Sequence, residues 1–311
     1  HSKRRFTYED AQKSIDSGGD FADELRILDS IGKKLRADKM RKGAIDFEHD
    51  EVGFELDSKG KPIRVFKKER LGTHKLVEEF MLLANREVAH FFFTHSQKSG
   101  RELPFIYRIH DVPNQEKIEQ LRVFLKALGH ELPKGTGGKI HGKDLQALFK
   151  KIEGKAEESL IKTAAIRSMA KAIYSTSNIG HFGLAFEFYT HFTSPIRRYP
   201  DLLVHRLLQS ILTSAKIDPG QFASLSTLAD SCTQKEISAS EAERESIKLK
   251  QVEFMQGFLG KELEGIVSGV TEWGLFIEII ENKCEGMVRL KDIDDDFYIF
   301  DEDEFCITGR I

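Results

Sequence analysis

The sequence predicts an α+β protein: a mainly helical body with some antiparallel strands, followed by the beginning of a small β-barrel. Three observations predict it. Apolar residues recur at helical spacing over much of the first 258 positions. An aromatic stretch punctuated by glycine interrupts them, and after Gly260 apolar and polar residues alternate with period two. A chain of 311 residues can bury one large core and still carry a small second domain.

In chain order, positions 9–42 read as helical, with Phe21, Leu25, Leu28, Ile31 and Leu35 at helical spacing. Ile45, Phe47, Phe54 and Leu56, with Ser-Lys-Gly-Lys-Pro at their boundary, suggest a hairpin. LVEEFMLLANREVAHFFFTH (76–95) is an apolar, buried helix, PFIYRIHD a short strand, and NQEKIEQLRVFLKALGH an amphipathic helix ended by Gly129. GHELPKGTGGKIHG is a loop by its Gly and Pro content. Helices are expected at about 143–152, 155–173, 195–213 and 218–258, with STSNIGHFGLAFEFYTHFTSP between the second and third as an ordered loop or short strands. From Gly260, KELEGIVSGVTEWGLFIEII and CEGMVRL read as a meander bending at Gly269 and Gly274. It ends after roughly three strands, too few to close a five-stranded barrel.

Composition narrows the function classes. No run of 18 apolar residues exists and no charged-then-apolar leader opens the chain, which argues against membrane and secretory readings. Cys232, Cys284 and Cys306 are far apart with no CxxC, which suits a reducing cytoplasm and not a zinc ribbon. Eleven histidines include no HExxH. Lys261–Ile311 holds five basic and fourteen acidic residues, a net of −9, leaving +6 on the other residues of a chain whose net is −3. A mildly basic body is compatible with a polyanionic partner. The opening HSKRRF, without Met, reads as cut from a longer chain.

The segment HFTSPIRRYPDLLVHR raises the sharpest chemical question. Ser194 is a good N-cap and Pro195 a good first helical residue, which would put Arg197 and Arg198 in a first turn. The helix dipole and free N–H groups already favour an anion there, so two cations ask for a phosphate or a carboxylate.

LVEEFMLLAN, STSNIGHFGLAFEFYTHFTSPIRRYPDLLVHR and SEAERE, in this order, resemble the ribonuclease R / ribonuclease II (RNB) family of processive exoribonucleases. GKELEGIVSGVTEWGLFIEI resembles the opening of the OB-fold RNA-binding module that follows the catalytic domain in that family. The resemblance implies that 1–258 is the C-terminal two-thirds of an RNB catalytic domain and 260–311 a truncated OB-fold RNA-binding domain. It implies hydrolysis of single-stranded RNA from the 3′ end to nucleoside 5′-monophosphates with Mg2+, in the cytoplasm, with no membrane and no small-molecule cofactor.

The resemblance also assigns residues. Arg197 reaches a phosphate near the scissile bond, where a guanidinium stabilises the charge of the transition state. Arg198, about 100° of helix away, is a second phosphate contact or a structural partner of Asp201 or Glu187. Phe47, in GAIDF, aligns with an aromatic that stacks on the 3′-terminal base, or is a core strand residue. Glu78 aligns with a carboxylate that hydrogen-bonds the ribose and helps tell RNA from DNA, or is a helix-face charge exchanging roles with Glu79. Glu243 matches a carboxylate near the bound strand, against the solvated-helix reading of an EAER run. Tyr199, with Tyr174, His181, Tyr189 and His191, crowds the arginine segment, lining an RNA channel or packing as buried rings.

Metal-assisted hydrolysis needs clustered carboxylates. The aspartate cluster and the cold-shock domains that the resemblance implies are absent from this sequence. KDIDDDFYIFDEDE (291–304) is no calcium loop, since Phe297 stands where the glycine is required, and reads as an acidic surface loop. The expectation is an inactive piece of an exoribonuclease that binds no metal by itself. The alternatives are a non-catalytic RNA-binding or scaffold protein that keeps the fold, and a helical nucleotide-binding domain, which the meander after Gly260 disfavours.

Overall fold

The computed structural model describes residues 1–46, 51–100, 103–133, 135, 139–155, 157–213, 223–301 and 306–310, and the chain divides into two compact units. The first comprises His1–Ile45, Glu69–Asp111 and Lys171–Ile237; the second comprises Asp46–Lys68, Val112–Ala170 and Ser238–Ile311.

In the first unit, α1 (Tyr8–Ser17) and α2 (Ala22–Arg41) form the helical region expected over 9–42, on the segments EDAQKSID and FADELRILDSIGKKLRADKMRKG. Gly18 and Gly19, at φ of 86° and 146°, take a backbone that a side chain would strain, and the helix breaks there. Both helices pack on α3 (Gly72–Ser99). Thr73 ties α3 to α1, its hydroxyl donating to the Tyr8 carbonyl and its N–H to Gln12 Oε1. Between α2 and α3 lies a buried ion pair, Lys39 Nζ to Glu79 Oε1 at 2.6 Å, with the Arg36 guanidinium 3.7 Å from the same oxygen. Of the adjacent glutamates, Glu79 therefore faces the interior, while Glu78 is half-buried and pairs with Arg70.

The core lies on the far half of α3. Ala89 and Phe92 meet Phe105, Ile106 and Tyr107 of the segment leading into β3 (Tyr107–Ile109). Phe92 and Phe105 stack at 4.2 Å between ring centroids. β3 pairs antiparallel with β4 (Ile173–Ser175), Arg108 opposite Tyr174. Val204 and Leu207 close the core, together with Leu225 and Ala229 at the start of a long helix (Leu225–Met255) that begins in this unit and continues in the second.

The second unit contains the hairpin of β1 (Val52–Leu56) and β2 (Pro62–Lys67), closed by Asp57, whose Oδ1 accepts from the N–H groups of Lys59 and Lys61. Ile45 is buried outside this hairpin, and Phe47 lies outside the described residues. Helices α4 (Gln115–Ala127), α5 (Gly142–Ile152) and α6 (Glu158–Ser168) follow. Helix α6 stops at Ser168, short of the expected 173, because Ile173 and Tyr174 are drawn into pairing with β3.

Helix α7 (Tyr199–Leu212) belongs to the first unit, and the long helix is α8 (Leu225–Met255). After α8 come β5 (Gly265–Thr271), β6 (Gly274–Ile279) and β7 (Glu285–Arg289) as an antiparallel meander, and β8 (Tyr298–Asp301) and β9 (Cys306–Gly309) as a separate hairpin. The acidic loop expected at 291–304 thus contains a strand. Tyr298 and Phe300 alternate toward one less exposed face, and this period outweighs the surrounding aspartates. The meander of β5, β6 and β7 follows the expected pattern, but the region does not end after three strands: β8 and β9 follow, giving five strands in two separate sheets among the described residues.

The two glutamates of the VEEFM run should behave oppositely in urea unfolding. Glu79→Ala strands the buried Lys39 ammonium and should cost about 3–5 kcal/mol. Glu78→Ala, removing a partly exposed pair, should cost less than about 1 kcal/mol. Equal losses would contradict the assigned burial.

Candidate functional site

The segment His191–Arg206 does not start its helix at Ser194. Residues 195–197 form a turn, with the N–H groups of Arg197 and Arg198 reaching the Ser194 carbonyl at 3.3 and 3.1 Å, and α7 begins at Tyr199 with Arg198 as its N-cap. Two prolines compete to mark the start, and Pro200 wins. It lacks the N–H a helix from Pro195 would need in its interior, whereas in a first turn none is required.

Asp201 then decides the fate of the two arginines. It is wholly buried, and its Oδ1 accepts from Ser194 N–H at 2.7 Å and from Arg198 Nη2 at 2.9 Å. Arg198 Nε lies 2.9 Å from Oδ2 but off a hydrogen-bonding angle, so this second contact is Coulombic. Of the two roles open for Arg198, this is the geometry of a structural partner. Arg197 is exposed, with no side-chain hydrogen bond or ion pair to the described residues. Beside it Tyr199 is also exposed.

The chain leading into the turn is irregular, and its polar groups are satisfied one by one. The Thr190 hydroxyl donates to the Ile106 carbonyl at 2.6 Å, and Arg108 N–H donates to the Tyr189 carbonyl at 2.9 Å. Asn85 of α3 accepts from the N–H groups of Phe192 and Thr193 and donates to the Tyr189 hydroxyl. His205 stacks on Phe192 at 4.0 Å and its Nε2 lies 2.8 Å from the Phe192 carbonyl. Beneath, the Tyr174 hydroxyl lies 2.7 Å from His191 Nδ1, the Tyr174 N–H donates to Thr233 Oγ1, and the Arg108 guanidinium sits 4.6 Å from the Tyr174 ring centroid while pairing with Glu236.

This surrounding keeps His191 and His181 neutral. Burial, with the Arg198 and Arg108 guanidinium groups nearby, lowers the His191 pKa to about 2; burial and His110 lower that of His181 to about 3. Burial pushes the Tyr174 and Tyr189 hydroxyls upward. Neutral His191 therefore accepts from the Tyr174 hydroxyl. His181 and His110 each offer Nδ1 to a backbone N–H, of Leu184 and Gly183 respectively. Gly183 is required there, because a Cβ would stand 2.9 Å from His110 Nδ1.

The other candidates are distributed as follows. Glu78, Leu82, Asn85 and Ala89 step along α3 by four, three and four residues, hence along one face, with Glu78 about 10 Å from Asn85 along the axis. Glu243 is exposed on α8 in the second unit. Phe47 lies outside the described residues. Sequence reasoning missed Asn85, Arg108 and Glu236. The Arg108–Glu236 pair joins residues 128 positions apart and leaves no local signal. Asn85 did leave one, a polar residue in the otherwise apolar MLLAN run.

The model of the RNB domain matches residues 1–214, more than half of the sequence. The chain belongs to the RNB domain family. The S1 RNA binding domain model matches residues 257–309. Among relatives, Ribonuclease R 1 of Lactococcus lactis is 40% identical over 96% of this chain and 36% of its own length. Ribonuclease R of Aquifex aeolicus is 37% identical over 99% of this chain and 44% of its own. The chain thus spans about two fifths of the length of these curated relatives. Among solved structures, Mycoplasma genitalium RNase R in complex with ribose methylated single-stranded RNA superposes with a TM-score of 0.91 at 25% identity, over 99% of this chain and 49% of that one. The elements within residues 1–214 thus belong to an RNB domain and β5–β9 to an S1-type region.

Within this RNB unit, His191 and His181 hold folded-state pKa values below the unfolded value near 6.5. Their contribution to stability is full above about pH 6.5 and declines as pH falls toward the folded values. The urea midpoint should drop between about pH 7 and about pH 5. His191→Asn, which keeps an acceptor for Tyr174 but cannot titrate, should flatten that drop by up to about one proton. An unchanged slope would contradict the buried neutral assignment.

Proposed function

We propose that this chain is part of a processive 3′→5′ hydrolytic exoribonuclease that degrades single-stranded RNA to nucleoside 5′-monophosphates, and that the residues present here grip the strand. The observation that carries the reading is the exposed Arg197 guanidinium on an anchored turn, beside an arginine already neutralised by Asp201. A guanidinium offers a fork of donors suited to phosphate, and a backbone already held in place leaves only the side chain to be ordered on binding. Tyr199, exposed next to it, offers a ring edge or face to ribose or base. Arg198 acts in this reading through Asp201. Glu78 and Glu243 would contact the strand, and Phe47 would stack on the terminal base. The RNB and S1 matches and the ribonuclease R relatives support the family activity.

Magnesium does not fit the carboxylates described here. Asp201 is taken by Arg198 and Ser194, Glu236 by Arg108, Glu79 by Lys39 and Glu78 by Arg70. A hard dication needs several oxygens in a small volume, and among the described residues no group of three or more His, Cys, Asp or Glu is so arranged. No hydrolytic step is therefore assigned to these residues, and the chain by itself is proposed to bind RNA without cutting it. No helix is long and apolar enough to cross a membrane. A cytoplasmic setting belongs to the same proposal, supported by the free thiols of Cys232, Cys284 and Cys306.

Fluorescence anisotropy with a labelled oligoadenylate tests the reading. Binding should be weak and salt-sensitive, and Arg197→Ala should weaken it roughly tenfold while lowering the salt slope by about 0.7. Equal affinity of the two proteins would remove Arg197 from the site. Incubation of the unmodified chain with magnesium and poly(A) should release no mononucleotides; steady release would refute the proposed inactivity.

A further inference from the structure

Three successive backbone N–H groups enter the arginine turn with no helix or sheet to receive them. Ser194 N–H is taken by Asp201, and those of Phe192 and Thr193 are taken by one side-chain oxygen, Asn85 Oδ1, at 3.0 and 3.2 Å. Asn85 is 3% exposed and sits in mid-α3, where asparagine is a poor helix former and a buried amide is costly unless satisfied. Its remaining group is satisfied as well, Nδ2 donating to the Tyr189 hydroxyl at 3.1 Å. The amide thus spans both ends of the Tyr189–Thr193 stretch and fixes it to the rigid helix.

We propose that Asn85 is a positioning residue for Arg197, holding the backbone ahead of the turn so that only the side chain, not the backbone beneath it, is ordered when the guanidinium meets a phosphate. The proposal rests on the reading of Arg197 as the phosphate contact. Arg197 lies four residues beyond Thr193, and its side chain has no tie to the described residues, so its location is inherited from the backbone. Two clamps set that backbone: Asp201 from the helix that follows, and Asn85 from α3. Ordering lost from such an element is recovered only on binding, which lowers affinity without removing a contact.

A double-mutant cycle separates this from a merely structural role. Asn85→Leu, similar in size but without polar atoms, should weaken oligoadenylate binding about fivefold in the unmodified chain and change nothing further in Arg197→Ala. Asn85→Asp, which keeps an acceptor for both N–H groups, should stay within about twofold of the original affinity. A fivefold loss from Asn85→Leu in both backgrounds would overturn the positioning role and leave the Arg197 reading intact. No effect of Arg197→Ala would instead overturn the reading on which the proposal rests. Should Asn85→Leu lack a cooperative thermal transition, Asn85→Ser, too short to reach both N–H groups, takes its place in the cycle with the same outcomes.

Discussion

A single buried carboxylate separates two adjacent arginines into different roles. Asp201 has no exposed surface, yet it receives the Ser194 N–H and the Arg198 guanidinium. A buried ion pair is weak evidence for stability, since desolvation offsets much of the attraction. Its consequence here is geometric. With Arg198 turned inward and Ser194 held, the intervening residues form a turn whose other arginine, Arg197, is exposed and has no ion pair to the described residues.

The same economy runs through the rest of the first unit. Glu79 is matched to Lys39, Glu236 to Arg108 and Glu78 to Arg70. His191 and His181 are kept neutral by burial, so they add no charge that could replace Arg197. These cations and carboxylates cancel in pairs, and the exposed Arg197 guanidinium is left at the end of an irregular segment held by Asn85 and Asp201. Such an arrangement suits recognition of a polyanion backbone, whose phosphates carry no sequence information, better than recognition of a particular base.

Much of this was legible in the sequence, for reasons that can be named. α3, α4 and α5 follow from apolar spacing, and the Asp57–Lys61 turn of the β1–β2 hairpin from its Gly and Pro. A helix start at Pro195 is expected because two prolines five positions apart both satisfy the rule for a first turn; the second prevails because Pro200 has no N–H to give to a helix interior, and Asp201 then receives the Ser194 N–H ahead of the turn. β8 was hidden by aspartates, since charge dominated the reading where a two-residue alternation of aromatics decided the structure. Arg197 was found through a family motif and not through spacing. Its exposure could not have been inferred from the Arg-Arg pair alone, because nothing local distinguishes the neutralised arginine from the free one. Asn85 stands out as a polar residue in an apolar run, but its role does not, because its partners lie more than a hundred positions away.

In the proposed reading a polynucleotide occupies the turn, and Arg197 stands on backbone held by Asp201 and Asn85. The most direct test of the central claim is chemical labelling of arginine by phenylglyoxal, read out by peptide mass spectrometry with and without oligoadenylate. The account predicts rapid modification of Arg197 that RNA suppresses, and slow modification of Arg198 that RNA leaves unchanged. Fast labelling of Arg198, or labelling of Arg197 indifferent to RNA, would contradict it.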